Sequence, residues 1–312
     1  MARGVDEIDA RTASDELLGR FVAAEHACWP ETNPGVPTRS LAEAIAYYRH
    51  QPETHASCFW LADGGLAGLY VHGPTAAFLQ LLVEPARRRR GIGSALLAAV
   101  LERCRALDVE ALHGHHTTQA GAAFSARFGF RDGQRIVASV LDLQAALLPA
   151  PAAPPDWQLV TWLDHVPDEH LQAFVQVRAS MDDAPSSDDM EIPTWTAETV
   201  RASEESLRRR NREMRVTVAM RADGEIGAFT ELRVSSGSTV AFTDDTGTVA
   251  EHRGHGLAKA VKVESLRLLR RDHPGITLVT TSNAEENAVM RGLNESVGFR
   301  PVAVETTATL VL

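Results

Sequence analysis

Two glycine-containing segments carry residue types that bind phosphate. The first, RRRRGIG at positions 87–93, and the second, HRGHG at positions 252–256, each lie between an apolar stretch and a long amphipathic one. Glycines let the backbone turn tightly, so that the free amides at the start of the next helix can point at an anion. The helix dipole adds partial positive charge at the same place. Each segment therefore predicts a cradle for a pyrophosphate.

A single glycine turn before a helix is common, and four consecutive arginines can simply be a solvated charge run. Here the pattern occurs twice, and Gly91 lies 163 residues before Gly254. A Gly-Phe pair follows later in each half, with Gly129 lying 169 residues before Gly298. Repetition at nearly equal spacing favours a functional cradle in each half.

The elements around the two segments are predicted in the same order. Apolar periodicity indicates β-α-α-β-β-β-α-β-α-β in each half, with helix caps at Ser14 and Ser40 in the first. A proline-rich stretch at 147–157 can continue neither a helix nor a central strand. We therefore predict an internal duplication, with domains at 1–146 and 158–312 joined by the linker 147–157.

The first glycine segment resembles the acetyl-CoA-binding loop of the GCN5-related N-acetyltransferases, whose signature is Q/R-x-x-G-x-G/A. Arg88, Gly91 and Gly93 match it, whereas the second half offers Gly254 and Gly256 with Glu251 at the Q/R position. The element order matches that family twice. The resemblance implies an α/β (α+β) fold class, as two tandem domains that each have a mixed, mostly antiparallel central sheet flanked by helices.

The same resemblance implies acetyl-CoA as the cofactor and assigns residues to it. Asn287 is assigned to cofactor binding, and the alternative is that it is an ordinary exposed residue of a helix. Asn283 is assigned in the same way, and the alternative is that it is an N-cap. Thr118 matches Asn287 in the first half. The assigned residues are Leu82, Val83, Arg88, Arg89, Arg90, Gly91, Ile92, Gly93 and Ser94, then Thr246, Thr248, Arg253, Gly254, His255, Gly256, Leu257, Ala258, Asn283 and Asn287.

Acetyl transfer from a thioester to an amine needs a deprotonated amine and a protonated leaving thiolate. The family often supplies the acid with a tyrosine four residues before the Gly-Phe pair. Ser125 and Asn294 stand there instead. The usual acid is therefore absent from both halves, and water or a hydroxyl group is the expected proton source.

The family usually keeps a carboxylate on the fourth strand, where Asp244 and Asp245 follow an apolar run in the second half. Glu231, on the preceding predicted strand, is the reserve candidate for the base. The alternative is that the paired acids belong to a solvated turn. In the first half, HGHH at 113–116 could supply a base or only end a strand. No second ligand cluster indicates a metal site.

Composition excludes several other classes of protein. A hydrophobic fraction of 44% in 312 residues supports real cores and excludes bulk disorder. The net charge of -10 argues against nucleic-acid binding. Three widely spaced cysteines, without a signal peptide or spanning segment, predict a cytoplasmic protein that is not membrane-bound.

We therefore predict an N-acetyltransferase that acts on a small-molecule or peptide amine by direct transfer, as a monomer with pseudo-dimeric domains. The second half is favoured as the catalytic unit because it carries the acids. Catalysis by the first half and a non-catalytic acyl-CoA-binding or sensing module are the alternatives. The acidic segment 182–195 suggests a cationic acceptor.

Overall fold

The computed structural model describes residues 4–50, 57–72, 74–179 and 195–312, which form two compact units. One unit comprises Met1–Arg135 with Ala303–Leu312, and the other comprises Ile136–Val302. We call them the N-terminal and C-terminal units. The acidic segment that suggested a cationic acceptor lies outside the described residues, except for Trp195.

The N-terminal unit contains the first ten elements of the chain up to part of its sixth strand. They are β1 (Val5–Ile8), α1 (Asp15–Thr32), α2 (Leu41–Arg49), β2 (Ser57–Ala62), β3 (Gly65–His72), β4 (Ala76–Val83), α3 (Ile92–Ala106), β5 (Ala111–His116), α4 (Gln119–Arg127) and β6 (Arg131–Asp142). Local signals start the first helices as predicted. Ser14 caps α1, and Ser40 with Glu43 forms a capping box on α2.

The second half of the chain repeats this order of elements. They are β7 (Gln158–Leu163), α5 (Asp168–Arg178), α6 (Ala197–Arg209), β8 (Arg212–Met220), β9 (Ile226–Ser235), β10 (Val240–Thr248), α7 (Leu257–Asp272), β11 (Leu278–Ala284), α8 (Ala288–Ser296) and β12 (Arg300–Val311). The predicted fold class is confirmed, because each unit has a mixed, mostly antiparallel sheet with helices packed on it.

Each sheet contains one parallel pair of strands that separates partway along. In the N-terminal unit, β4 pairs with β5 only from Ala76 to Phe78, although β4 continues to Val83. In the C-terminal unit, β10 pairs with β11 only from Val240 to Phe242. Beyond these points one edge of β4 and of β10 lacks its parallel neighbour. The glycine segments follow the free ends of these two strands.

The last strand of each sheet comes from the other half of the sequence. Ala303–Leu312 belongs to the N-terminal unit, where β12 pairs with β5 from Thr306 to Val311. The second part of β6, from Ile136, belongs to the C-terminal unit and pairs with β11. The compact units therefore differ from the predicted boundaries 1–146, 147–157 and 158–312, which remain a hypothesis about the repeat. Sequence periodicity marks a strand without saying which sheet receives it.

Both units have well-packed apolar cores. The helix α3 packs Leu96, Leu97 and Val100 against the sheet of its unit, and α7 packs Val261 and Leu266 in the other. Among the described residues, no helix combines the length and the apolar character that crossing a membrane requires.

Candidate functional site

The first glycine segment forms an uncapped helix start. Gly91 is the N-cap of α3 with φ of 84°, and no side chain in the described part of the chain caps the helix. A Cβ added to Gly91 would meet nothing within 4 Å, so the surface beside it is open. The first intrahelical bond joins the Ala95 amide to the Gly91 carbonyl, which leaves the amides of residues 92–94 available to an anion.

Arginines surround this helix start but are held differently. Arg88 donates from Nε to the Val83 carbonyl at 3.1 Å and pairs with Glu31 at 2.6 Å. Arg89 adopts a left-handed φ of 64° and is exposed. Arg90 donates to the Ala86 carbonyl, at 3.4 Å. The segment thus places positive charge beside free amides, which suits a pyrophosphate.

The second segment has the same geometry, but its register corrects the sequence alignment. The N-cap of α7 is Gly256, at φ of 80°, so it corresponds to Gly91; Gly254 corresponds to Arg89. Arg253 donates from Nε to the Thr248 carbonyl at 3.2 Å, as Arg88 does to Val83. The Q/R position is therefore Arg253 and not Glu251, and the spacing is 165 residues rather than 163. The backbone conformation of the glycines does not by itself identify the N-cap of α7, because Gly254 and Gly256 both have positive φ.

A cavity of about 740 Å³ joins the first segment to the rest of the N-terminal unit. Its walls come from α1, α2, β3, the free edge of β4, the start of α3, and α4. It reaches from the helix start at Gly91 to an end formed by polar and aromatic side chains. Eight of the residues assigned to the cofactor line it: Leu82, Val83, Arg88, Arg89, Gly91, Ile92, Gly93 and Ser94.

The polar and aromatic end of this cavity holds the chain's three tyrosines. Tyr48 and Tyr70 place their hydroxyl groups 3.5 and 3.2 Å from Gln80 Oε1, and Tyr47 packs on Tyr48. Burial raises the pKa of Tyr48 and Tyr70 well above the ordinary value, so both remain protonated and donate to Gln80. The buried Glu25 lines the same end. Sequence analysis missed this group, because its members lie on four different elements.

The histidines of the HGHH motif lie on β5 and are used in different ways. His113 is buried and bonds Thr309 through Nδ1 at 3.1 Å. His115 and His116 line the cavity, and His116 Nε2 lies 3.0 Å from Asp132. Two of the three are thus placed beside the cavity, where a proton acceptor would be useful.

The acids Glu231, Asp244 and Asp245 meet in the C-terminal unit, each paired with an arginine. Arg178, at the end of α5, contacts Glu231 through Nη1 and Asp245 through Nη2, the latter at 2.8 Å. Arg233 pairs with Asp244. Trp195 covers the Arg178 guanidinium, whose Cζ lies 3.5 Å from the ring centroid. The acids occupy β9 and a bulge within β10, not the end of a strand.

Burial and charge act against each other in this cluster. Burial raises the pKa of Glu231 to about 7, and the Arg178 charge opposes the increase. Burial likewise raises the pKa of Asp244, against the opposing charge of Arg233. Oxygens of Glu231, Asp244 and Asp245 lie within 4.8 Å of one another, a spacing that a metal ion could use. A cation there would have to displace the guanidinium groups that already satisfy them.

The two units differ at equivalent positions around this cluster. Gln80 and Asp245 both lie three residues before the end of their strand, and Glu25 and Arg178 are both the eleventh residue of their helix. The N-terminal unit therefore has the uncharged Gln80 and the carboxylate of Glu25 at these two positions, beside an open cavity. The C-terminal unit fills the same region with paired charges. Arg178 is the residue that sequence reasoning missed, and its place on the apolar face of α5 was the available signal.

The asparagines assigned to the cofactor have structural partners. Asn287 is the N-cap of α8 and accepts from the Met290 amide at 3.1 Å, as Thr118 caps α4. Asn283 lies in β11, before the helix, and its Oδ1 accepts from Asn294 at 2.6 Å. Lys262 donates to Asn294 Oδ1 at 2.6 Å and is buried.

The remaining assigned residues of the C-terminal unit are spread between core and surface. Thr246 is buried and bonds Thr230 at 2.7 Å, Leu257 is buried in the core, and His255 is exposed. Thr248 offers its carbonyl to Arg253. Arg253, Gly254, Gly256 and Ala258 form the helix start, so this part of the assignment is brought together.

In comparisons with known proteins, a family model matches one part of the chain and a relative matches nearly all of it. The family model described as an acetyltransferase (GNAT) domain matches residues 55–132, in the N-terminal half. Mycothiol acetyltransferase of Saccharomonospora viridis is 27% identical over 320 residues, covering 96% of this chain and 95% of its own.

Two solved structures match the whole architecture. A tandem GNAT protein from the clavulanic acid biosynthesis pathway has a TM-score of 0.81 at 27% identity, covering 98% of both chains. A GCN5-related N-acetyltransferase from Sphaerobacter thermophilus has a TM-score of 0.77 at 15% identity, covering 98% of this chain and 95% of its own. The tandem arrangement expected from the repeated pattern is confirmed.

Proposed function

We propose that this chain, a tandem member of the GCN5-related N-acetyltransferase superfamily, transfers the acetyl group of acetyl-CoA to a small-molecule or peptide amine in the cavity of its N-terminal unit. One observation supports this choice of unit above the others. A single cavity joins a phosphate-binding helix start to a polar and aromatic end. The equivalent region of the C-terminal unit is occupied by Arg178 and its carboxylate partners.

The residues of the N-terminal unit suit acetyl-CoA in two respects. Free amides at residues 92–94, with Arg88 and Arg89 beside them, would hold the pyrophosphate. Among the described residues, the edge of β4 from Gln80 to Val83 has no parallel neighbour and offers backbone groups to an extended ligand. When bound, acetyl-CoA supplies the acetyl group as a thioester.

Transfer requires the amine nitrogen to bond to the carbonyl carbon while the carbon–sulfur bond breaks. One proton leaves the nitrogen and one reaches the sulfur. Glu25 and His116 are the ionisable side chains in the cavity that we propose as proton acceptors. Among the residues that the structure describes, Ser125 at the usual acid position does not line this cavity, so water supplies the proton to sulfur.

The C-terminal unit remains the second candidate, because Glu231 has a pKa near neutrality. A base with a pKa close to the working pH accepts a proton efficiently. Against this stands the contact of Glu231 with the Arg178 guanidinium, which competes for the same lone pairs.

A matched pair of substitutions separates the two units. Gly91 and Gly256 are both N-caps with φ near 80° and open space around the added Cβ, so a glutamate strains both alike. We expect Gly91→Glu to lower kcat/KM on the order of 100-fold or more, because a carboxylate replaces the anion at charge-assisted amide bonds. Gly256→Glu should retain turnover. Free-thiol release measures the rate, and calorimetry with acetyl-CoA counts the binding sites.

The reverse pattern would assign catalysis to the C-terminal unit. In that case Gly256→Glu abolishes turnover, and Glu231→Gln, Asp244→Asn or Asp245→Asn lowers it by roughly 10²–10⁴-fold with little change in acetyl-CoA affinity. Binding of acetyl-CoA without thiol release for any amine would instead favour the sensing module.

A further inference from the structure

The polar and aromatic end of the N-terminal cavity contains one carboxylate and one guanidinium. Glu25 is 4% exposed and lies on α1, whereas Arg39 precedes α2. Their nearest charged atoms, Oε1 and Nη1, are 3.7 Å apart, which is too long for a hydrogen bond. Among the described residues, this ion pair is the only polar contact of either side chain. Each group faces the cavity with most of its hydrogen-bonding capacity unused.

Aromatic rings enclose this pair of charges. The Arg39 guanidinium carbon lies 4.6 Å from the centroid of Tyr47 and 5.6 Å from that of Trp29, which holds the side chain in place. Tyr48 and Tyr70 form the neighbouring wall with Gln80 between their hydroxyl groups. The surroundings are therefore suited to an apolar or aromatic substituent that carries a small polar group at one end.

Charge balance decides what that polar group is. A simple ammonium ion bound at Glu25 would lie beside the Arg39 guanidinium, and the like charges would repel. An anion bound at Arg39 would meet the Glu25 carboxylate in the same way. A zwitterion satisfies both, because its ammonium meets Glu25 while its carboxylate meets Arg39.

The position of this pair matches that of an acceptor. Gln80 lies three residues before Val83 on β4, which corresponds to about 10 Å of strand, and Val83 leads to the phosphate-binding loop. The charged pair lies near Gln80 in the same cavity, because Arg39 packs on Tyr47, and the ring beside Tyr47 belongs to the tyrosine that bonds Gln80.

We infer that the acetyl acceptor is an α-amino acid, or a compound with the same adjacent ammonium and carboxylate groups, with an apolar or aromatic side chain. This inference rests on the proposed function of the N-terminal unit. In the reaction, the bound ammonium first gives one proton to a base in the cavity, and the resulting amine gives up a second proton as it forms the amide bond. The carbon–sulfur bond breaks at the same step, the thiolate of CoA takes up one proton, and the other proton passes to solvent. The product is an N-acetyl amino acid, which has lost the positive charge that Glu25 binds.

Two matched sets of probes test this inference. One set is phenylalanine, phenethylamine and phenylalaninamide, and the other is leucine, isoamylamine and leucinamide; within each set only the carboxylate changes. We expect kcat/KM for the amino acid to exceed that of its amine and amide by about tenfold or more, the effect of one charge-assisted pair. Thiol release gives the rates, and mass spectrometry identifies the N-acetyl products.

Two variants assign the effect to the charged pair. Arg39→Gln should raise KM for phenylalanine about tenfold, because its carboxylate loses its partner, and should lower KM for phenethylamine, whose ammonium no longer meets a like charge. Glu25→Gln should raise KM for both. Arg49→Gln is the matched control for Arg39→Gln, since Arg49 pairs with Asp15 outside the cavity and should alter neither KM.

The outcomes separate this inference from the proposed function. Acetylation of the amines or amides as fast as the amino acids would overturn the inference and leave the acetyltransferase intact. If no probe is acetylated, calorimetry tests whether phenylalanine binds the CoA-loaded protein and whether Arg39→Gln abolishes that binding. If phenylalanine does not bind, the inference is also overturned. Failure of the proposed function has its own signature, which is acetyl-CoA binding that Gly91→Glu does not reduce.

Discussion

Lys262 is a buried cation that the catalytic proposal does not use. It is 2% exposed, donates to Asn294, and lies 5.4 Å from the Phe299 ring centroid. Among the described residues, no carboxylate pairs with it. Burial alone lowers the pKa of Lys262 from 10.5 to about 7. The folded protein therefore prefers the neutral amine at pH values where the unfolded chain carries the charge.

We predict that Lys262 makes stability depend on pH between about 7 and 10.5. In this window the unfolded state binds a proton that the folded state does not, so the free energy of unfolding rises with pH. A difference of one bound proton changes the equilibrium constant of unfolding by about tenfold for each pH unit. Lys262→Met should therefore have a larger free energy of unfolding than the wild type. This difference should be greatest below pH 7 and should shrink as the pH rises. Urea unfolding across pH measures it.

Lys259→Met is the control for this experiment. Lys259 is the chain's other lysine, lies on the same helix and is exposed. Its substitution should leave the pH profile of the wild type unchanged. A Lys262→Met protein with the same profile as the wild type would show that Lys262 keeps an ordinary pKa in the folded state.

At the scale of single elements, the question is whether a residue at a helix start binds the cofactor or caps the helix. Asn287 caps α8 through the Met290 amide, so its side chain is already engaged. We predict that Asn287→Ala lowers the free energy of unfolding by about 1 kcal/mol and leaves acetyl-CoA affinity unchanged. Thr118→Ala, at the equivalent cap of α4, should cost a similar amount. Thermal unfolding and calorimetry on the same samples check both, and a tenfold loss of affinity in Asn287→Ala would restore its binding role.

The elements also show what could be predicted from the sequence. The Ser14 and Ser40 caps and both glycine turns were predictable, because each depends on residues within one helical turn. The acids of the C-terminal unit remain a hypothesis for the catalytic base, but their arginine partners could not be predicted, because they are distant in sequence. Arg178 lies 53 residues from Glu231 and 67 from Asp245. No local pattern reveals such a pair, and the tyrosines around Gln80 were missed for the same reason.

At the scale of the whole molecule, the exchanged strands make each unit depend on both halves of the sequence. In the N-terminal unit, β12 places Ala308 opposite Gly114 and bonds Thr309 to His113 at 3.1 Å. A Cβ on Gly114 would lie 3.3 Å from the Leu79 carbonyl, so the sheet is tight here. By contrast, β6 pairs with β11 through a segment that contains the buried residues Val137, Val140 and Leu141. The strand β6 is therefore a poor substitute for β12.

We predict that the linear fragment 1–146 does not reproduce the N-terminal unit, whereas residues 1–135 joined by a flexible Gly/Ser linker to residues 300–312 do. The joined chain restores all six register pairs from Thr306 to Val311, together with the backbone bond from Leu312 to Glu110. It should unfold cooperatively, protect the β5 amides from hydrogen exchange and bind acetyl-CoA. The linear fragment lacks these partners, so β5 becomes an unpaired edge and its amides should exchange rapidly. Equal protection of β5 in both proteins would mean that β6 folds back to take the place of β12, and the repeat boundaries 1–146 and 158–312 would then describe units that fold independently.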